Sequence, residues 1–328
     1  LSDLEEVKKE SARRTRRSFL VAGLGAAAGY EFYRWIARSP GDQLLPKPLR
    51  KALNFNAGVS QGLFDERGSA PTYAVGESKE LRVNGNYGLK RDLLAESYRL
   101  QVVGVAGAKG FAQYVDDVTK WQYGYAEEKA KYTGHDTKVA PKAEDAKMPP
   151  AFEKAFAEMR AAQGDKPLRG QEEAGLSDST LDEGTPGLLL TMEDVKRLPR
   201  HELVTQFKCI EGWSEIVHWG GVRLADFIAA YPPAKNAQGV EPKYVYMETP
   251  NGDYYCGFEL AECRHPQSLL VTEMAGRPLT QAHGSPLRLH MPIKYGYKQI
   301  KRIGLIAYTD EKPDDYWTKL GYDWYAGL

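Results

Sequence analysis

The sequence is short of cysteine. Three occur in 328 residues, Cys209, Cys256 and Cys263. That is too few for a disulfide scaffold, and their spacing gives no C-x-x-C pair of the kind that builds a structural zinc site. An odd count also leaves at least one thiol without an intramolecular partner. Charge of one sign is missing too: 44 Lys and Arg balance 44 Asp and Glu, which argues against a nucleic-acid partner, since such a partner needs a basic face. No G-x-G-x-x-G follows a strand-like segment and no Walker A run occurs, so nucleotide phosphate sites have no support. The haem-attachment run C-x-x-C-H is absent as well. What is present is an ordinary globular composition, 42% hydrophobic and 27% charged, in a chain long enough for one large domain or two smaller ones.

The N-terminal region carries the first pattern. Thr15-Arg16-Arg17-Ser18-Phe19-Leu20 precedes an apolar run from Val21 to Tyr30 and resembles a bacterial twin-arginine export signal. A basic amphipathic surface helix is the plainer alternative. The stretch 19–36 approaches the roughly 20 residues that cross a bilayer core, and no clear small-residue cleavage site follows it. The expectation is a retained anchor, with basic residues on the cytoplasmic side and the body on the periplasmic side of the inner membrane.

Residues 39–88 are rich in Pro, Gly and Asn and are expected to form extended connection and loop. Tyr98–Val105 alternates and predicts a strand. The stretch 123–187 is rich in Lys, Glu, Ala and Asp, with one helical pattern at Ala151–Ala162 where Phe152, Phe156 and Met159 share a face. It is too long for an ordinary connection and is expected to be an insertion that docks on its own domain or binds subunits of a membrane complex. From Leu188 the chain becomes strand-rich. A short helix is expected at Met192–Leu198 with Thr191 as N-cap, a strand at Leu203–Cys209, and a helix at Val222–Tyr231 stopped by Pro232-Pro233. Further strands are expected at Tyr244–Thr249, Ser268–Met274, Leu287–Met291 and Ile303–Thr309. Short strands and brief helices together indicate an α+β domain with a mixed sheet.

Two constellations carry chemistry. Cys209, at a strand end before Ile210-Glu211-Gly212-Trp213-Ser214, is placed to present a thiolate to a soft or high-valent metal. Alone, it would equally suit a buried hydrophobe. His283-Gly284-Ser285-Pro286-Leu287-Arg288 and the following Lys294-Tyr295-Gly296-Tyr297-Lys298-Gln299-Ile300-Lys301 combine imidazole, guanidinium and ammonium donors with glycine turns, a set suited to a phosphate and a flat polar heterocycle. A solvated cationic hairpin is the alternative for that segment on its own.

The two constellations occur together, and in order. The Cys-x-Glu-Gly-Trp-Ser segment, Trp219-Gly220-Gly221, Tyr244–Thr249, His265–Leu270, the His283–Arg288 and Lys294–Lys298 runs, and Trp324–Leu328 resemble the sulfite oxidase family over about 140 residues. Within it they are most similar to the bacterial branch that includes periplasmic methionine sulfoxide reductases. Asn84-Gly85-Asn86-Tyr87 resembles the family's upstream pterin-contacting segment. The resemblance implies a sulfite-oxidase-type fold holding molybdenum-molybdopterin, with Cys209 as metal ligand and catalytic residue. Thr249, His283, Arg288, Gln299, Ile300 and Lys301 would hold the pterin and its phosphate, and Asn84, Asn86 and Tyr87 would close the other side. His283 stands where the methionine sulfoxide reductase branch has Asn.

The implied activity is two-electron oxygen-atom transfer on a small substrate or an oxidised side chain. Electrons would be exchanged with a membrane or periplasmic partner, a cytochrome or quinone-linked haem protein. Arg223 and Arg264 are candidates for binding an anionic substrate only because they flank family segments; a solvated charge at a helix end is the plainer reading of each. The alternative is a cofactor-less, membrane-anchored structural subunit that keeps the fold. The expected organisation is a signal or anchor over 1–38, connection and the first part of the molybdopterin domain over 39–122, the insertion over 123–187, and the main part of the domain over 188–328.

Overall fold

The computed structural model describes residues 25–42, 45–65, 67–129 and 181–328. The twin-arginine motif, the helix expected at Ala151–Ala162 and most of the 123–187 insertion lie outside the described residues. The chain divides into two compact units, with the described residues up to Phe55 in one and those from Asn56 onward in the other. In the first, residues 25–38 are helical, and strands β1 (Gly41–Asp42) and β2 (Leu45–Pro46) pair antiparallel. Among the described residues no helix is long and apolar enough to cross a membrane; the span expected over 19–36 lies partly outside them.

The helix Lys47–Leu63 corrects the expectation of extended chain over 39–88. Pro48 stands in its first turn, where the missing N–H costs nothing. Leu53, Ala57 and Ser60 recur at helical spacing on its more covered side, whereas Asn54, Asn56, Gly58 and Gly62, which suggested loop, are all exposed. Tertiary context overrode a weak propensity.

The second unit is built on two sheets. Its strands are β3 (Arg91–Leu93), β4 (Leu100–Val103), β5 (Tyr114–Val115), β6 (Tyr125–Lys129), β7 (Gly187–Leu190), β8 (Arg200–Lys208), β9 (Ser214–Arg223), β10 (Tyr244–Glu248), β11 (Tyr255–Glu259), β12 (Leu269–Met274), β13 (Arg277–Pro278), β14 (Arg288–His290) and β15 (Leu305–Thr309). Six of them form a mixed sheet in the order β11-β10-β15-β4-β7-β5, in which only β15 and β4 run parallel. Five form an antiparallel sheet, β13-β12-β9-β8 with β14 also on β12. Strands β3 and β6 make a separate two-stranded ladder. Short helices Met192–Lys196, Leu224–Ala230 and Leu260–Cys263 complete a mixed α+β architecture.

Sequence pattern accounts for most of these elements. Thr191 caps its helix as expected, its hydroxyl accepting from Asp194 N–H while the Asp194 carboxylate accepts from Thr191 N–H. The expected helix at Val222–Tyr231 begins two residues later, because Val222 and Arg223 finish β9. Strand β9 is not among the strands expected from sequence, where Trp219-Gly220-Gly221 entered only through the family resemblance. In the fold, a Cβ on Gly221 would fall 2.1 Å from the Leu270 carbonyl. The glycines therefore allow a close strand-to-strand approach to β12, not a bend.

Strands β8 and β9 form a long hairpin in register from Arg200↔Val222 to Lys208↔Ser214. Its turn is the pentapeptide Cys209–Trp213, closed by Cys209 N–H donating to Trp213 C=O at 2.9 Å. Phe207, Val217, Trp219 and Val271 form an apolar cluster beneath this hairpin, while Leu100, Val102, Leu188, Met247, Phe258 and Ile306 fill the larger core of the six-stranded sheet.

Two buried ion pairs fasten the segment that leads into Gln299–Lys301. The Lys294 ammonium pairs with Glu262 and also donates to Tyr325 C=O, and the Lys298 ammonium pairs with Asp315 and donates to Gly257 C=O. Burial pushes the Lys294 ammonium down and the Glu262 carboxyl up, and their mutual attraction opposes both shifts. Lys294→Met leaves Glu262 buried and unpaired, and is expected to lower the unfolding free energy by about 3–5 kcal/mol in urea titrations. Replacing both partners by apolar residues should cost distinctly less.

Candidate functional site

A cleft of about 410 Å³ opens between three parts of the second unit: the segment from Leu81 to Tyr87, the β8–β9 turn, and the stretch from Arg288 to Lys301. Cys209, Asn84, Asn86, Tyr87, Arg288, Gln299 and Lys301 all line it. Seven residues singled out from sequence, some more than 200 positions apart, thus meet around one space.

Cys209 sits on the rim of the hairpin turn and is 9% exposed. The Asn84 side-chain amide donates toward its sulfur at 3.6 Å, and the thiol points to the Glu211 carboxylate at 3.8 Å. Burial pushes the thiol pKa up, against backbone hydrogen bonds at Glu211 and Ile210 that lower it, and a bound cation would favour the thiolate. The Trp213 indole N–H donates to the same Glu211 carboxylate at 2.9 Å. The Arg82 guanidinium, held by Glu215, lies 4.4 Å over the Trp213 ring.

The opposite wall is cationic. Arg288 is 1% exposed and donates through Nη1 to His283 C=O at 3.2 Å, while its Nε has no partner. Its guanidinium lies 4.9 Å over the Trp219 ring. Burial without a carboxylate partner pushes it down to about 9. The Lys301 ammonium donates to the carbonyls of Asn84 at 2.6 Å and of Gly85 and Ala282 at 3.2 Å. Burial, and then the neighbouring Arg288, push it down to about 7. Neither cation forms an ion pair among the described residues.

The side chains of Gln299, His283 and Thr249 are engaged within the protein, Gln299 while it lines the cleft. The Gln299 side chain is taken up by the protein: Nε2 donates to Lys294 C=O at 3.0 Å, which turns Oε1 to accept from His290 Nδ1 at 2.7 Å. His290 is held neutral, at about 3, by burial, and its Nε2 accepts from the Thr205 hydroxyl at 2.7 Å. His283 donates from Nε2 to Leu81 C=O at 2.7 Å and accepts at Nδ1 from Thr280. Both its ring nitrogens are engaged within the protein. Thr249 Oγ1 bonds to the Asn251 side chain and the Tyr254 backbone, and a Cβ on Gly88, which has φ +71°, would fall 2.4 Å from the Thr249 methyl. Thr249 therefore backs the Asn84–Tyr87 segment. Ile300 is fully buried, and its carbonyl accepts from Leu289 N–H.

Arg223 and Arg264, candidates for an anionic substrate, do not line the cleft. Arg223 ends β9 on the surface, and Arg264 is bound to Glu241 at 2.7 and 3.1 Å. Sequence reasoning instead missed an aromatic mouth of Trp213, Tyr254, Tyr297, Trp317 and Tyr322. Tyr87 packs into it, with ring centroids 5.6 Å from both Tyr254 and Trp317. The density of aromatics after residue 294 was its only visible trace.

Comparison with known proteins bears on the C-terminal half of the chain. Residues 182–317 match the oxidoreductase molybdopterin binding domain. The protein-methionine-sulfoxide reductase catalytic subunit MsrP of Xanthomonas campestris is 35% identical over 144 residues, covering 41% of this chain and 45% of that protein. The Campylobacter jejuni protein of the same description is 32% identical over 155 residues, covering 43% and 52%. The chain thus spans about half the length of the curated relatives it matches. The crystal structure of the sulfane dehydrogenase SoxCD from Paracoccus pantotrophus overlaps 56% of this chain and 59% of its own, at TM-score 0.36 and 16% identity, a likeness too slight to argue from. Cys209, Arg288 and Lys301 thus lie inside the stretch that matches the molybdopterin binding domain and resembles MsrP, and they face one cleft.

Proposed function

We propose that this chain holds molybdenum-molybdopterin in the cleft and reduces a sulfoxide, as on an oxidised methionine side chain. It would draw electrons from a membrane or periplasmic redox protein. The observation that carries the reading is the Arg288 guanidinium, buried with a free Nε beside Lys301 and with no carboxylate paired to either. A buried guanidinium beside a half-buried ammonium, neither with a counter-charge, is costly unless an anion completes the site, and a pterin phosphate is such an anion. Cys209 lines the same cleft. Among the described residues no three His, Cys, Asp or Glu side chains gather to hold a metal, so a metal reaching Cys209 has to bring ligands of its own, as a dithiolene does. The residues fit the group.

When bound, the cofactor supplies two-electron oxygen-atom transfer. The net reaction takes up two electrons and two protons, converts sulfoxide to thioether and releases water. Cys209 would ligate the metal, and the Asn84 amide, already directed at its sulfur, would orient that ligand. Arg288 and Lys301 would neutralise the phosphate. The walls of Trp213, Tyr254, Trp317 and Tyr322 favour a neutral sulfoxide with apolar substituents over a free oxyanion, and the one arginine at the mouth, Arg82, is already engaged by Glu215 and Trp213. The electron partner and the periplasmic setting, with residues 19–36 as anchor and 123–187 as a subunit-binding insertion, are parts of the same proposal. They are supported by the export-like motif and by the "catalytic subunit" wording of the relatives' names.

Cys209→Ser is expected to keep the unfolding midpoint close to that of the parent while metal content or turnover falls by on the order of 100-fold or more. Full activity in that variant removes Cys209 from the role. Native protein without molybdenum would leave the structural-subunit alternative. The cationic wall gives a second test. Folding lowers the Lys301 pKa from 10.5 to about 7, so the native state gives up this proton before the unfolded chain does. Stability of cofactor-free protein from this group therefore rises with pH between those values. Inorganic phosphate should reverse the penalty. It is expected to raise the melting temperature most below about pH 7, where Lys301 and Arg288 are both charged, and less as pH rises. An unchanged melt relative to chloride at equal ionic strength, at every pH, contradicts an anion site there.

A further inference from the structure

The segment from Leu81 to Lys90 supplies Asn84, Asn86 and Tyr87 to the cleft, yet it contains no helix or strand before β3 begins at Arg91. Irregular backbone facing a buried site must find partners for its carbonyls. Here they come from side chains of a single region, 281–302. His283 Nε2 donates to Leu81 C=O at 2.7 Å, and the Lys301 ammonium donates to Asn84 C=O at 2.6 Å and Gly85 C=O at 3.2 Å. The Arg302 guanidinium donates through Nη1 to Gly88 C=O at 3.2 Å and to Arg91 C=O at 2.7 Å. Five carbonyls along one strap are thus bound in chain order by three side chains.

Arg302 was not anticipated in any role. It is 1% exposed, and its other donors are taken by the Gln281 side chain at 2.6 Å and Ser285 C=O at 3.3 Å. Its backbone is left-handed, φ +52°, an uncommon conformation for a long side chain that persists only where the surroundings hold it. Extended backbone would send the side chains of 301 and 302 to opposite faces, whereas at this bend both reach the same strap.

We propose that Arg302 is a positioning residue: with Lys301 and His283 it seats the Leu81–Arg91 strap on the cleft and thereby sets Asn84, Asn86 and Tyr87 for the cofactor. This rests on the cleft being the molybdopterin site. It also recasts His283, which acts through the Leu81 carbonyl and not by touching the pterin. All three donors of Lys301 go to carbonyls, so it serves the anion by charge while it holds the strap.

The test uses the full chain purified with its cofactor, as Arg302→Met and Arg302→Lys, with His283→Ala as a separate lesion in the same device. Hydrogen exchange is followed for strap amides and for β10 and β15 as the reference core, alongside pterin content, kcat and KM. In Arg302→Met the strap amides are expected to exchange about ten-fold faster or more, since two charge-assisted hydrogen bonds are lost. The reference core should keep its protection, and pterin content should fall several-fold. Arg302→Lys should restore a substantial part of both, and His283→Ala should loosen the strap chiefly near Leu81. Should Arg302→Met fail to fold, Arg302→Lys and His283→Ala carry the same comparison. Unchanged strap exchange overturns the proposal, and so does faster exchange with pterin content and KM unaltered. If the parent protein carries no pterin, the cofactor reading itself has failed, and strap exchange reports on the anchoring alone.

Discussion

Positive charge buried without carboxylate partners is the constraint around which this site is organised. Arg288, Lys301 and Arg302 lie within fifteen residues of one another, and none forms an ion pair among the described residues. Each is satisfied by carbonyl oxygens, and Arg288 retains one unsatisfied donor. Such groups are expensive to bury. The fold offsets part of that expense by directing irregular backbone toward them, and the proposed anionic ligand would offset the rest. Elsewhere in the same segment the solution is the ordinary one: Lys294 and Lys298 each meet a buried carboxylate. The contrast separates lysines that hold the frame from Arg288 and Lys301, which face the cleft, and Arg302, which faces the strap.

The sequence showed the ends of this arrangement better than its middle. Cys209, Arg288 and Lys301 were legible because their residue types have few uses in those surroundings, and the family-like motifs occur in order. The fold placed them around one space. His283 and Thr249 shared those motifs, but their side chains are spent inside the protein, on Leu81 and Thr280 in one case and on Asn251 and Tyr254 in the other. Motif spacing reports that a residue is near a site. Which face of the backbone it serves depends on partners from distant segments, and no local pattern contains that information. Arg302 was invisible for the same reason, since its bonds span about 210 positions in the chain.

Secondary structure was legible where amphipathic period and hydrogen-bonding chemistry coincide, as at Thr191–Lys196 and in β10, β12 and β15. It was misread where glycine and asparagine were taken as turn signals. In the Lys47–Leu63 helix those residues occupy exposed positions at modest cost. At Gly220-Gly221 the absence of a side chain allows strand contact with β12. Glycine marks a place where something comes close, and the sequence does not say whether that is a turn, a ligand or another strand.

The carbonyl pattern of the strap has a consequence for how this protein can vary. Donors at 283, 301 and 302 are fixed in space by β14 and the frame behind it, and they address backbone oxygens at 81, 84, 85, 88 and 91, not the side chains there. Strap side chains that do not line the cleft are therefore more open to exchange than the strap's length. Inserting or deleting a single residue between Leu81 and Arg91 would put the acceptors on one side of the change out of step with their donors.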